Sequence, residues 1–350
     1  MNGIILLMEK ETRVPFISII VLIHNIEYSF LDVCFKSLMS QTDRDFEVLL
    51  VCDNNHFDES RVPADARFRV VNVPPCSVGA ARNIGLKNAK GTYVTFLDSD
   101  DLLNFNFVAE VKLITDSSAF SLICFNHKQG TEPNFPNQEL ITAPQIVDLS
   151  AKEAQRLFLS PILSHGEKDF GLNLGVCWAK VYQRDFLLDQ KIWFDESLTL
   201  GEDVNFVLAC GLKANRVALI PNFSAVYYRL GNASSAVGSL QKQFTWLEPF
   251  VASTYRVLKE AAVSPEYLEH FPYYYVDIFA SSYVVVAKAG GFHHSFKSKL
   301  SPFKIVFNRE HLSYQLIKFA AIKKRPSLIS FIQHRHFLLG ALWLQHQAKR

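Results

Sequence analysis

Cysteine is sparse and unpaired in this chain. Cys34, Cys52, Cys76, Cys124, Cys177 and Cys210 are scattered over 350 residues, none in a Cys-x-x-Cys pair and several inside apolar runs. That spacing argues against a disulfide framework and for small buried hydrophobes in a reducing compartment. Long apolar runs are missing too. No stretch approaches the roughly 18 uncharged apolar residues of a membrane-spanning helix. The short run Ile4 to Met8 has no basic region before it and no cleavage-like site after it, so no signal peptide is expected. There is no internal repeat. His334 and His336 stand two apart, which points them in different directions on a helix and argues against a metal pair.

Apolar residues make up 49% of the chain, with 29 phenylalanines, enough for a sizeable core. The net charge is only +2, but it is unevenly spread. From residue 280 onward there are 12 lysines and arginines against one acid, Glu310, a local +11, so the remainder carries −9. An acidic body with a basic tail region is predicted.

The first hundred residues alternate between two patterns. Phe16 to Ile23, Phe46 to Cys52, Phe68 to Val73 and Tyr93 to Leu97 are short β-branched and aromatic runs that read as buried strands. Between them, 31–41 and 79–90 have helical character, with Gly91 as the expected helix terminator. This alternation predicts an α/β domain with a mainly parallel sheet. In such sheets ligands bind beyond the carboxyl ends of the strands, where His24, Asp53 and Asp98-Ser99-Asp100-Asp101 all fall.

Three carboxylates in four residues after a buried strand repel one another and resist desolvation. A divalent cation with oxygen ligands would compensate; an acidic turn capping a helix that starts at Leu102 is the plainer alternative. Asp53 can contact a nucleotide or simply open the Asp-Asn-Asn turn. Glu202-Asp203 can cap the helix that follows or supply a general base at its positive end. Arg229 can pair with a diphosphate or lie on a surface strand, and Ser234-Ser235 can meet a phosphate or shape a loop.

Further along, 104–114 reads as a helix, Phe120 to Phe125 as a strand and 126–148 as a loop or insert. Ser150 and Glu153 form a capping-box pattern for a helix over 150–164. Candidate helices 241–262, 266–289, 310–324 and 327–347 follow. Lys323-Lys324-Arg325 and the Phe331 to Leu344 stretch could rest on an anionic membrane surface or form the solvated face of a helical subdomain.

Taken in order, Phe16 to Asn25, Ser37-Leu-Met-Ser-Gln-Thr42, Phe46 to Asp53, Gly79-Ala-Ala-Arg-Asn83, Asp98 to Asp101 and Gly201-Glu-Asp203 resemble the family-2 glycosyltransferases over roughly residues 15–235. The resemblance implies a GT-A fold, a Rossmann-like mixed sheet flanked by helices, with a helical C-terminal extension over 236–350. It divides the first 235 residues into a nucleotide-sugar half, about 15–110, and an acceptor half, 111–235. It implies a sugar-nucleotide donor, with a UDP-sugar expected, a Mn2+ or Mg2+ ion and inversion at the anomeric carbon. Asp98 and Asp100 would hold the metal, Asp100 the more directly. His24, Asp53, Arg82, Asn83, Asp98, Ser99 and Arg229 would surround the donor. Asp203 would be the catalytic base, with Glu202 beside it.

The sequence departs from the family's pattern at Asn54-Asn55-His56, where a second Asp followed by Gly-Ser is usual, and before Lys180, where Ala179 replaces an Asn. The reading is thus a hexosyltransferase building a cell-surface glycan or polysaccharide, on a glycan or lipid-linked acceptor and without nucleic acid. It would be cytoplasmic, with peripheral contact at the inner membrane face. A degenerate member that only binds glycan or a partner is the non-enzymatic alternative. A nucleotidyltransferase fits less well, because His24-Asn25-Ile26-Glu27 is neither Gly-rich nor basic.

Overall fold

A computed structural model describes residues 14–53, 57–131, 145–163, 171–230, 244–288, 296–312, 315–316 and 326–348. The chain opens β1 (Ile17–Ile23), α1 (Tyr28–Met39), β2 (Phe46–Cys52), β3 (Phe68–Asn72), α2 (Val78–Asn88) and β4 (Tyr93–Asp98). It continues through β5 (Leu102–Leu103), α3 (Phe107–Ser117), β6 (Leu122–Gly130), β7 (Val147–Ser150) and α4 (Ala151–Leu163). Then come β8 (Lys180–Gln183), α5 (Arg184–Asp189), α6 (Glu202–Lys213) and β9 (Arg216–Arg229). The remaining described helices are α7 (Leu247–Glu260), α8 (Pro265–Lys288), α9 (Phe296–Val306), α10 (Pro326–Gln333) and α11 (Phe337–Ala348).

One mixed sheet runs in the order β3-β2-β1-β4-β8-β6-β9-β5, with β7 on β9. The first four strands pair in parallel and β8 turns the sheet antiparallel. Along β1, Ile17, Ile19, Val21 and Ile23 face one apolar layer with α1 and α3, while Ile20 faces a second layer with α2, α4 and α6. Both faces are covered, which is why the strands read as continuous apolar runs rather than alternating ones. The register places Ile23 beside Cys52 and Leu22 beside Asp98. His24, Asp53 and Asp98 therefore leave the sheet at one level, at the carboxyl ends of adjacent strands.

Several expectations need correction. Gly91 does not end α2, whose cap is Ala89. It is instead a close-approach glycine: a Cβ there would stand 2.5 Å from the Ser18 nitrogen of β1. Leu102-Leu103 starts no helix but pairs with Tyr227 and Val226 of β9, and the helix begins at Phe107. The stretch 126–148 is not all loop, since β6 runs to Gly130 and β7 begins at Val147. The capping box is present: Ser150 and Glu153 exchange hydrogen bonds at the start of α4. The single helix expected over 327–347 is two, broken at Arg335, whose φ of 58 is left-handed. Most of 310–324, Ser234-Ser235 and Lys323-Lys324-Arg325 lie outside the described residues. All six cysteines are free, and all but the half-buried Cys76 are buried.

The second apolar layer does not stop at residue 235. It passes from Phe158, Phe194 and Phe206 into Phe250, Phe271, Phe279, Phe303 and Leu328. α7 is tied to α6 by Thr254 donating to the Asn205 side chain, and to the segment before α6 by Ser253 donating to Asp195, each at 2.7 Å. No helix among the described residues is long and apolar enough to cross a membrane.

Candidate active site

The crevice forms where β1, β2, β4 and the N-terminus of α6 meet. His24 Nδ1 lies 2.7 Å from Asp53 Oδ1, joining the ends of β1 and β2. The His24 side chain is largely exposed and Asp53 is buried.

Arg82, on the inner face of α2, is buried and bridges two acids. It donates from Nη1 to Glu202 Oε1 at 2.7 Å and from Nη2 to Asp98 Oδ1 at 3.5 Å. One guanidinium thus ties the end of β4 to the start of α6. Asn83, its neighbour, turns elsewhere. Its amide donates to the Phe194 carbonyl and the Glu196 carboxylate and accepts from the Phe194 N–H. Its side chain thus holds the 194–196 segment, away from the acids that Arg82 joins.

The 98–101 turn is not a helix cap. Asp101 is fully buried and accepts the Arg229 backbone N–H at 2.9 Å. Arg229 is buried as well, which removes the surface-strand reading. Its Nε donates to the Asp100 carbonyl at 3.0 Å and its guanidinium stacks over Phe30 at 4.6 Å. Arg229 therefore clamps the acidic turn from the end of β9. Burial, and next Asp98, push the Asp101 carboxyl up to about 9, and its Oδ2 has no hydrogen-bond partner. Burial also raises Asp98, with Arg82 opposing and Asp100 adding to the rise. Ser99 is buried between them.

At α6 the chain enters through Gly201 at φ 86, where a Cβ would stand 2.4 Å from the Phe250 ring. A residue with a side chain would be strained there twice over. Asp203 follows in the first helical turn, half-buried, accepting the Val204 N–H at 2.8 Å. Burial first and Glu202 next push its carboxyl up to about 6, against the pull of Arg82. A carboxylate that gives up its proton near neutrality suits a general base. Glu202 is spent on Arg82.

Two groups around the site were given no role by the sequence. Lys180 is fully buried and donates to the Asn173 carbonyl at 2.8 Å, its pKa lowered by burial. Trp178 stacks on Tyr228 with ring centroids 5.3 Å apart, and His127 packs edge-on against it at 5.0 Å. Ala179, between Trp178 and Lys180, is left-handed at φ 52. Among the described residues no three His, Cys, Asp or Glu side chains converge into a closed metal cage. Asp98 and Asp100 could form one side of an open one.

Residues 18–166 match the model of "Glycosyl transferase family 2". Over that stretch the chain is similar to the family-2 glycosyltransferases. It is 27% identical over 246 residues to the uncharacterized glycosyltransferase EpsJ of Bacillus subtilis, covering 66% of this chain and 68% of that protein. It is 26% identical to the cholesterol galactosyltransferase of Borreliella burgdorferi, over 61% of this chain and 60% of that one. It thus spans about two thirds of such relatives. The structure of Staphylococcus aureus TarS 1-349 in complex with UDP-GlcNAc superposes with a TM-score of 0.68 at 18% identity, covering 95% of this chain and 91% of that chain. The fold of the chain, helical C-terminal part included, is therefore of the GT-A kind.

Proposed function

We propose that the chain transfers a sugar, with inversion, from a nucleotide-sugar donor to a hydroxyl of a glycan or lipid-linked acceptor in cell-surface glycan synthesis. A UDP-sugar is the favoured donor. The observation that carries this is the Arg82 bridge, which ties Asp98 of the acidic turn to the helix start that presents Asp203. In the step itself the acceptor hydroxyl gives its proton to Asp203. Its oxygen bonds to the anomeric carbon as the bond to the diphosphate breaks, and a nucleoside diphosphate leaves. One base suffices and no covalent intermediate forms.

Mn2+ or Mg2+ fits the donor set: two oxygen-bearing side chains, Asp98 and Asp100, leave room for donor phosphates and water, as hard cations of this kind prefer. When bound, the ion would offset charge developing on the departing diphosphate. His24, Asp53 and Ser99 would line the donor, and Arg229 would keep the acidic turn in place. The donor half over 15–110, the acceptor half over 111–235 and the helical extension are parts of the same reading. So is peripheral contact of the basic C-terminal region with the inner membrane face. Loss of vesicle binding after Lys323, Lys324 and Arg325 are changed to Glu would support that contact, and unchanged binding would remove it.

The deciding experiment is a thermal-shift panel of UDP-, GDP-, CMP- and dTDP-sugars, with and without Mn2+, on the wild type and Asp100→Ala. A bound donor raises the melting temperature by mass action. A Mn-dependent rise with one nucleotide class, absent in Asp100→Ala, is expected. No rise with any donor in folded protein would favour a degenerate binding protein instead.

A further inference from the structure

A cavity of about 460 Å³ lies beside the candidate base, between α4, α6, α8 and the segment 171–175. Its walls include Phe158, Leu172, Leu174, Val204, Leu208 and Tyr274. Among the described residues no charged side chain lines it. It is half open to the surface, its size is in the range of small-ligand sites, and a mainly apolar cleft favours apolar groups.

Its position ties it to the crevice. Val204 is the residue after Asp203 and donates its N–H to that carboxylate. Asn173, on the wall, accepts from the buried Lys180. His127, on another wall, packs against Trp178, which stacks on Tyr228, next to the Arg229 clamp. Gly211 of α6 makes room for the Phe158 ring, since a Cβ there would stand 2.2 Å from it.

The polar groups are few and uncharged. Burial pushes the Tyr274 hydroxyl up to about 12 and lowers the His127 pKa, so both stay neutral near pH 7. The Tyr274 hydroxyl has no hydrogen-bond partner among the described residues. A polysaccharide segment would need a dense set of donors and acceptors, and desolvating it against these leucines would be costly. A hydrocarbon body with one polar end meets no such cost.

We infer that this cavity receives the hydrocarbon part of the acceptor, making a glycolipid, rather than a free polysaccharide, the class of molecule whose hydroxyl is presented to Asp203. This rests on the transferase reading above and gives α8, through Tyr274, a part in acceptor selection.

Binding of methyl, hexyl, octyl and decyl β-glucosides, each below its micelle concentration, would be followed by calorimetry on the full chain. Affinity should rise about fourfold for each added CH2 while the cavity fills, then level off. Val204→Phe should lower decyl glucoside affinity at least tenfold while leaving the Mn-dependent donor thermal shift unchanged. Leu208→Phe should act in the same direction, should Val204→Phe fail to fold. Affinity independent of chain length, or equal in wild type and both variants, would overturn the inference. A donor shift with no glucoside binding would overturn it and leave the transferase reading standing. Chain-length-dependent binding with no response to any donor would leave an apolar site but overturn its acceptor role.

Discussion

At the end of β4 three carboxylates fall within four residues; at the start of α6 two are adjacent. The first cluster is eased by backbone and proton. Asp101 sinks into the interior, takes the Arg229 N–H, and has its pKa pushed up to about 9. The second is eased by a counter-charge. Glu202 takes the buried Arg82 and leaves Asp203 raised to only about 6. The outcome is a division of labour. Each cluster uses one acid structurally, Asp101 and Glu202, and leaves Asp98, Asp100 and Asp203 for the chemistry proposed above. Adjacent acids of the same type thus differ because of what reaches them from strands and helices more than 100 residues away.

The largest expected effect separates Asp203 from Glu202. Asp203→Asn should cut kcat by about 10²–10⁴-fold, the range for loss of a general base, with little change in melting temperature. Glu202→Gln should keep much of the activity and lower stability. Equal loss of kcat in the two, with both folded normally, would break the distinction. The pH profile sharpens it. A base must be ionised, and Asp203 is raised toward 6, so kcat should fall as pH drops below about 6. Because Glu202 contributes to that rise, Glu202→Gln should move the acid limb to lower pH.

Next in size is Arg82→Met. It leaves Glu202 without its partner in a buried setting, which costs about 3–5 kcal/mol when one member of a buried pair is removed. Denaturant unfolding would read this as a lower midpoint at unchanged slope. A midpoint like the wild type's would mean that the bridge does not hold β4 to α6. Gly201→Ala should cost about 2 kcal/mol, from a left-handed φ of 86 and the Phe250 ring that its methyl would meet. Calorimetric melting would measure it. No loss would show that α7 can shift away from the site.

The parallel half of the sheet was legible because it is buried on both faces: β1, β2 and β4 are near-continuous apolar runs, and their ends name His24, Asp53 and Asp98. The helix start at Glu202-Asp203 was legible from its own acids. What was hidden has partners distant in the chain. β5 is two residues long and exists only because β9 pairs with it. The Asp101–Arg229 bond spans 128 residues, and nothing near either one announces it. Asn83 directly follows Arg82, yet its partners are Phe194 and Glu196, since successive helical positions point in different directions. The C-terminal helices share the apolar layer of the sheet, and apolar residues common to both regions cannot reveal that from sequence. α9 was missed because Pro302 interrupts its pattern.

The smallest effect tests the crevice edge against its interior. The His24–Asp53 pair has the same 2.7 Å separation as Arg82–Glu202. Yet the His24 side chain is 63% exposed and that of Arg82 only 7%. Exposed pairs are typically worth about 0–1 kcal/mol, because water screens them and holding the side chains costs entropy. His24→Ala should therefore change stability by less than about 1 kcal/mol, against several for Arg82→Met. If Asp53 meets the nucleobase, His24→Ala should also weaken UDP binding several-fold, since Asp53 loses the group that orients it, while kcat stays near that of the wild type. Calorimetric titration with UDP, set beside the unfolding midpoint, reads both. A large stability loss with unchanged UDP affinity would make the pair a structural tie between β1 and β2, with no part in the donor site.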